Sequence, residues 1–188
     1  MSSTFSIWKS KGITLLKGNK DSKVILNTFC RILDYAEVNN WQGACHAITS
    51  IFYVLLMEQN VDCDIYIGEA SLNGIAFNHS WIEIDNKVYD IAIRLTLIDG
   101  LEFSPVINGI DLITGQPTEF NYGIDSGMDD DPGAHLAKTL PFAEYMENAP
   151  MHPDGLWGIT KELANLLGIK FNMDQANEKY KNVARKSK

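Results

Sequence analysis

Residues His79 to Ile93 read as two strands folded back on each other about Asp85-Asn86, and this hairpin constrains the chain more than any other feature. His79–Ile84 and Lys87–Ile93 are rich in apolar, β-branched and aromatic residues, and the pair between them is turn-forming. With a two-residue turn Ile84 faces Lys87, and the sum of facing residue numbers then stays constant along the ladder. Trp81 faces Asp90 and His79 faces Ala92. Side chains alternate along a strand, so His79, Trp81, Glu83, Val88, Asp90 and Ala92 share one face. His79 and Asp90 are diagonal neighbours, about 7–8 Å apart at the backbone and closer at the side chains. A slip of one residue would reverse the face and separate them.

The elements before the hairpin are helical. From Asp21 to Glu37, residues Ile25, Phe29, Ile32, Leu33 and Ala36 recur at helical spacing, with Asp21 or Ser22 placed to cap the first turn. A second helix, Cys45–Glu58, carries Ile48, Ile51, Phe52, Leu55 and Leu56 on one broad stripe. Asn60 suits the left-handed residue that ends it. Cys63, Ile65 and Ile67 alternate with polar neighbours, giving a half-buried strand over 61–67, and Gly68 to Asn78 read as a loop. Later, Val106–Ile110 and Glu119–Tyr122 read as strands, Asp125–Gly133 as a loop, and Thr160–Leu167 and Asp174–Ala184 as helices. The lysine-rich 179–188 reads as a solvated tail.

The chain has 188 residues, room for one domain with a real core and too few for two ordinary ones. Sixteen basic against twenty-four acidic side chains give a formal charge of -8, which disfavours a nucleic-acid partner because phosphate binding needs a basic face. Three cysteines suit a reducing compartment better than a disulfide framework. Met1–Phe5 has the pattern of no leader, and no window approaches the roughly 18 apolar residues of a membrane span. The expectation is a cytoplasmic protein without nucleic-acid or membrane partners, its oligomeric state open.

Cys45 stands at the first turn of its helix, where unpaired N–H groups and the helix dipole favour a thiolate over a thiol of ordinary pKa near 8.5. Asp90 can orient one ring nitrogen of His79 and leave the other for Cys45, an arrangement of nucleophile, base and orienting group. A small residue on an apolar stripe is also what a helix core contains, so spacing alone leaves a structural role for Cys45 open.

A longer pattern bears on that choice. Gly43-Ala44-Cys45-His46-Ala47, Phe52–Val61, Ile65-Tyr66-Ile67-Gly68, His79-Ser80-Trp81-Ile82-Glu83-Ile84 and Val88-Tyr89-Asp90 resemble the core of the transglutaminase-like cysteine enzymes. The layout is most similar to the bacterial peptidases that remove leaders during lasso-peptide maturation. The resemblance covers about residues 43–93. It implies an α+β, papain-like architecture with the Cys45 helix packed on an antiparallel sheet, Cys45 as nucleophile, His79 as base and acid, and Asp90 as orienter. It also implies acyl transfer on a peptide or protein amide, most simply hydrolysis. Transglutaminase-type or thioester-dependent acyl transfer is an alternative, as is a non-enzymatic member that binds a peptide or protein partner. Ser80 stands where alanine is common and His46 where an aromatic or small residue is usual.

The remaining candidates are weaker. Gln42 amide or Trp41 indole N–H is placed to join the Cys45 N–H in holding an oxyanion. Trp81 and Glu83 support the hairpin. His46 points about 100° away from Cys45 on a helix and reads as an exposed or loop-contacting residue. His135 and His152 flank loops. Cys45, His46, Cys63 and His79 lack zinc-ligand spacing, and Asp129-Asp130-Asp131 lack the calcium-loop pattern, so no metal or cofactor is expected. Cys30 and Cys63 read as core. The segment 107–153 is expected to border the cleft of a single domain, 1–188, rather than fold apart.

Overall fold

Asparagine-containing turns shape the sheet. The computed structural model describes residues 3–97, 103–150 and 152–188; Met1, Ser2 and Met151, which fall within the leader and cleft-border expectations, lie outside them. The chain opens with helices α1 (Ser3–Leu15), α2 (Ser22–Val38) and α3 (Cys45–Met57). Strands β1 (Asp64–Leu72) and β2 (Ile75–Ile84) then pair antiparallel along their whole length about Asn73-Gly74. Both turn residues have positive φ, 51° and 81°, the backbone that tight hairpins require and that Asn-Gly supplies. The loop expected over Gly68–Asn78 is therefore a hairpin. Its flanking Gly68, Ser71 and Asn78 have weak strand propensity, and tertiary pairing overrides it.

The next hairpin has the expected register. Asp85 and Asn86 both take positive φ, and β3 (Lys87–Tyr89) pairs Ile84 with Lys87, Glu83 with Val88 and Ile82 with Tyr89. It stops three residues in, short of the expected Ile93. Asp90 exchanges backbone hydrogen bonds with Val106 instead, and Ala92–Leu95 form a turn of 3₁₀ helix. The strand expected over Val106–Ile110 is broken by Asn108-Gly109 into β4 (Val106–Ile107) and β5 (Ile110–Asp111). Strand β6 (Asn121–Ile124) lies two residues later than expected and pairs with β1.

Helices α4 (Pro132–Thr139), α5 (Phe142–Glu147), α6 (Gly155–Leu167) and α7 (Met173–Tyr180) follow. Strand β7 (Lys186–Ser187) runs parallel to β1 at Tyr66 and Ile67. The end of the chain is thus tied down, although its lysines stay exposed. Arg185 lies over the rings of Phe142 and Tyr145 and donates to Ala137 O at 2.8 Å and Ser50 Oγ at 3.1 Å.

The result is an α+β protein with seven α-helices among its described residues and a largely antiparallel sheet, helix α3 packing on β2. Ile48, Ile51, Phe52, Leu55 and Leu56 fill the centre with at most 1% exposure. Phe29 of α2 meets Phe52 edge-on at 5.8 Å. Each such side chain contributes about 1.5–3 kcal/mol on burial, so α3 is a fixed base for whatever its first residue carries. Asp21 makes no side-chain cap on α2. Among the described residues no helix is long and apolar enough to cross a membrane.

Candidate active site

Cys45 is the first residue of α3, and the Ala44 side chain caps nothing. The first-turn N–H groups thus remain available to an anion at Cys45. Gly43 sets the entry to the helix: its φ is 65°, its N–H donates to Leu95 O at 2.8 Å, and a Cβ there would lie 2.7 Å from the Leu97 side chain. Only glycine fits that combination without strain.

Strand β2 brings His79 to the same place. Its side chain is 2% exposed, and Nε2 lies 2.7 Å from Oδ2 of Asp90, whose side chain is fully buried. Asp90 is itself held on two further sides: Tyr122 Oη donates to Oδ2 at 2.9 Å and Ile93 N–H to Oδ1 at 3.0 Å. A carboxylate receiving Nε2–H leaves Nδ1 of His79 for the Cys45 thiol, which is within hydrogen-bonding reach. Phe77 meets the imidazole edge-on at 5.5 Å, restricting its rotation.

The electrostatics follow from these contacts. Burial opposes ionisation of Cys45, but the charges and hydrogen bonds of His46 and His79 outweigh it and bring the thiol down to about 6. Burial likewise works against a charged His79; Asp90, then Cys45, outweigh it and lift the imidazole to about 10. At neutral pH the pair is a thiolate beside an imidazolium. Such a pair can attack a carbonyl carbon and hand a proton to the departing group.

A cavity of about 410 Å³ opens over the thiol, walled by Cys45, His46, Phe77, His79, Leu95, Leu97 and the Asp131–Gly133 start of α4. A second, of about 460 Å³, lies between Trp41, Ala47, Leu136, Tyr145 and Leu156, and the two meet at Gly133. Of the two oxyanion candidates, Trp41 lines the second cavity and is buried, and Gln42 is exposed; neither lines the cavity over Cys45. The Trp81 indole donates to Glu83 at 3.0 Å and stacks on Tyr66 at 5.7 Å, on the sheet rather than in the cleft.

His46 is not exposed. It is 5% accessible, with Nδ1 at 2.7 Å from Ser80 Oγ and its far edge against Gly133. His135 and His152 do not line the cavity over Cys45; His152 approaches Glu162 at 3.5 Å. Asp131 caps α4 by accepting from Ala134 N–H at 2.8 Å, and Asp130 pairs with Lys138. Among the described residues no three His, Cys, Asp or Glu side chains group so as to hold a metal ion. Sequence reasoning missed Tyr122 and the α4 wall. Tyr122 had a faint signal, as an alternating aromatic near Phe120 on an expected strand, but nothing local pairs that strand with β1. Comparison of the chain with protein-family models, curated proteins and solved structures gives no match.

Proposed function

We propose that the protein is a cysteine-dependent acyl-transfer enzyme acting on amides, most simply a peptide or protein amidohydrolase with a transglutaminase-like, papain-like catalytic core. The observation that carries this reading is the buried chain from thiol to imidazole to carboxylate, closed by the 2.7 Å His79–Asp90 contact at the floor of an open cavity. A helix core has no need of a carboxylate bound to a histidine, because burying that pair costs desolvation that an apolar pair would not.

In this reading the Cys45 thiolate adds to the amide carbonyl and forms a C–S bond while the carbonyl π pair moves to oxygen. The tetrahedral intermediate collapses, and the amine leaves with the proton from His79. Water, deprotonated by the same imidazole, then cleaves the thioester; a second amine in its place would make the reaction a transfer. Asp90 keeps Nδ1 directed at sulfur throughout. Two largely apolar hollows meeting at Gly133 beside the nucleophile suit a peptide that places side chains on either side of the bond. Three unpaired thiols fit a reducing, cytoplasmic setting, which belongs to the same proposal.

The test is to incubate the protein with a small panel of peptides, primary amides and glutamine substrates, quench in acid and read intact mass. An adduct on Cys45 that Cys45→Ala abolishes supports the reading. Turnover that survives Cys45→Ala would end it.

A further inference from the structure

The histidine next to the nucleophile has one nitrogen engaged and one free. His46 is the second residue of α3 and is 95% withdrawn from solvent, its accessibility being 5%. Nδ1 faces Ser80 Oγ at 2.7 Å. The Ser80 side chain is fully buried, and among the described residues its hydroxyl has no hydrogen-bond partner besides Nδ1. Ser80 therefore has its O–H to give, and an O–H donated to Nδ1 places the imidazole proton on Nε2. Nε2 has no hydrogen-bond partner among the described residues although it is buried, and a bare N–H in such a place is costly to leave unpaired. His46 lines the cavity over Cys45. Gly133 closes on it without a side chain; a Cβ there would lie 3.5 Å from Cδ2 and 4.0 Å from Nε2, and Gly133 lines the same cavity.

We infer that His46 is a second catalytic histidine, whose Nε2–H, with the backbone N–H of Cys45, holds the oxyanion that forms when the thiolate adds to a carbonyl. This rests on the acyl-transfer reading above. His79 and His46 divide the work by their partners. His79 is tied to a carboxylate and carries the mobile proton. His46 is tied to a hydroxyl through Nδ1 and offers Nε2–H as a donor. The role expected of Trp41 or Gln42 passes to a residue that does line the cavity. A donor fixed in place before reaction is the arrangement that favours charge developing on oxygen in the transition state.

Two reagents separate this role from an effect on the thiol. Iodoacetamide alkylates a thiolate by displacement at sp³ carbon and develops no oxyanion; 4-nitrophenyl acetate acylates it through a tetrahedral oxyanion, and its phenolate leaves without a proton. The ratio of acylation to alkylation at Cys45, measured by mass from pH 5 to 9, cancels the thiolate fraction. In His46→Ala that ratio is expected to fall about 100-fold. In His46→Gln, which keeps an N–H donor, it should fall less, and in Ser80→Ala, which frees the tautomer but leaves the ring, less again. Thermal melts confirm that each variant is folded, and Ser80→Ala carries the test if the His46 variants are not. A ratio in His46→Ala, or in Ser80→Ala where that variant carries the test, equal to that of the parent overturns the His46 assignment and leaves the acyl-transfer reading standing. A parent protein whose Cys45 alkylates quickly but is acylated no faster than Cys30 overturns the acyl-transfer reading, and the assignment with it.

Discussion

Cys45 and Cys63 stand at opposite ends of the passage from helix α3 into strand β1, both packed against the same core, and their thiols differ in acidity by orders of magnitude. Burial discourages ionisation of each. At Cys63 it acts with the neighbouring carboxylates Asp64 and Asp62 and pushes the thiol up to about 12. At Cys45 it is opposed by two imidazoles and brought down to about 6. Cys30, with burial dominant, sits at about 11. The residue type and the degree of packing are similar, so the difference lies in what the fold places around the sulfur. Near neutral pH one of the three thiols is ionised, and it is the one that shares its cavity with two histidines, His46 and His79.

The comparison breaks most severely at Asp90. Asp90→Asn keeps the shape but gives His79 a side chain that can donate as well as accept, so the imidazole loses its fixed tautomer. Acylation of Cys45 by 4-nitrophenyl acetate is expected to fall by about 10⁴-fold, read from the rate of mass gain under excess reagent. A loss of less than about tenfold would mean that Asp90 holds Ile93 and Tyr122 in place and does little for the histidine.

Replacing the imidazole itself should make Cys45 behave more like Cys63. In His79→Gln the amide can still donate to Asp90, but the positive charge of His79 no longer faces the sulfur. The midpoint of Cys45 alkylation should rise from near 6 toward the ordinary thiol value, lowering its rate at neutral pH by up to about 100-fold. Iodoacetamide labelling with peptide mapping across pH 5–10 follows all three cysteines at once. An unmoved Cys45 midpoint would assign the low value to His46 and the helix start.

Stability should carry the same contrast with a definite sign. Cys45 is depressed on folding from 9.0 to about 6, so its contribution is complete above pH 9 and lost as pH falls through about 6. His79 is raised from 6.5 to about 10, so its contribution is complete below pH 6.5 and lost as pH rises through about 10. Together they flatten the melting temperature between those limits. Cys45→Ser should remove the thiol's compensating rise and leave the melting temperature falling as pH rises from about 6.5 towards 10, a change of a few degrees by calorimetry. A pH profile between 6.5 and 10 identical in the parent and Cys45→Ser would show that other groups set it.

How much of this was legible in the chain differs between the halves of the site. The hairpin about Asp85-Asn86 fixed the faces of His79 and Asp90, because a two-residue turn admits one register and that register repeats along the ladder. The length of β3 was not legible: its pairing is taken over at Asp90 by Val106, a partner distant in sequence. The Asn73-Gly74 and Asn108-Gly109 turns were present in the sequence as strongly as Asp85-Asn86, but weak strand formers around the first and a short apolar run around the second masked them. Helix α1 escaped because Gly12 interrupts a sparse stripe of Phe5, Trp8 and Leu15. Cys45 was legible from its place before an apolar helix. Tyr122, the free edge of His46 and the α4 wall depend on contacts between distant segments, which no local period encodes.

Tyr122 supplies the finest division within the site. Its hydroxyl and the His79 imidazole share Oδ2 of Asp90, and Ile93 N–H takes Oδ1. Tyr122→Phe removes one of three donors and keeps the ring contacts, 5.1 Å to Trp81 and 6.2 Å to Phe120. The loss in stability should be about 1.5–3 kcal/mol at most, since the acceptor is charged, and Oδ2 remains bound to His79. With one donor fewer, Asp90 attracts the imidazolium more strongly, so His79 should become slightly more basic and slower to release its proton to a leaving amine. Acylation by 4-nitrophenyl acetate, which needs no such proton, should then be unchanged, whereas turnover of an amide falls a few-fold. An equal fall for both reagents would mean that Tyr122 positions the histidine rather than tuning it. A rise of about one pH unit in the Cys45 midpoint, worth about 1.4 kcal/mol, would mean that the thiolate itself depends on Tyr122, and the contrast with Cys63 would then rest on β6 as much as on β2.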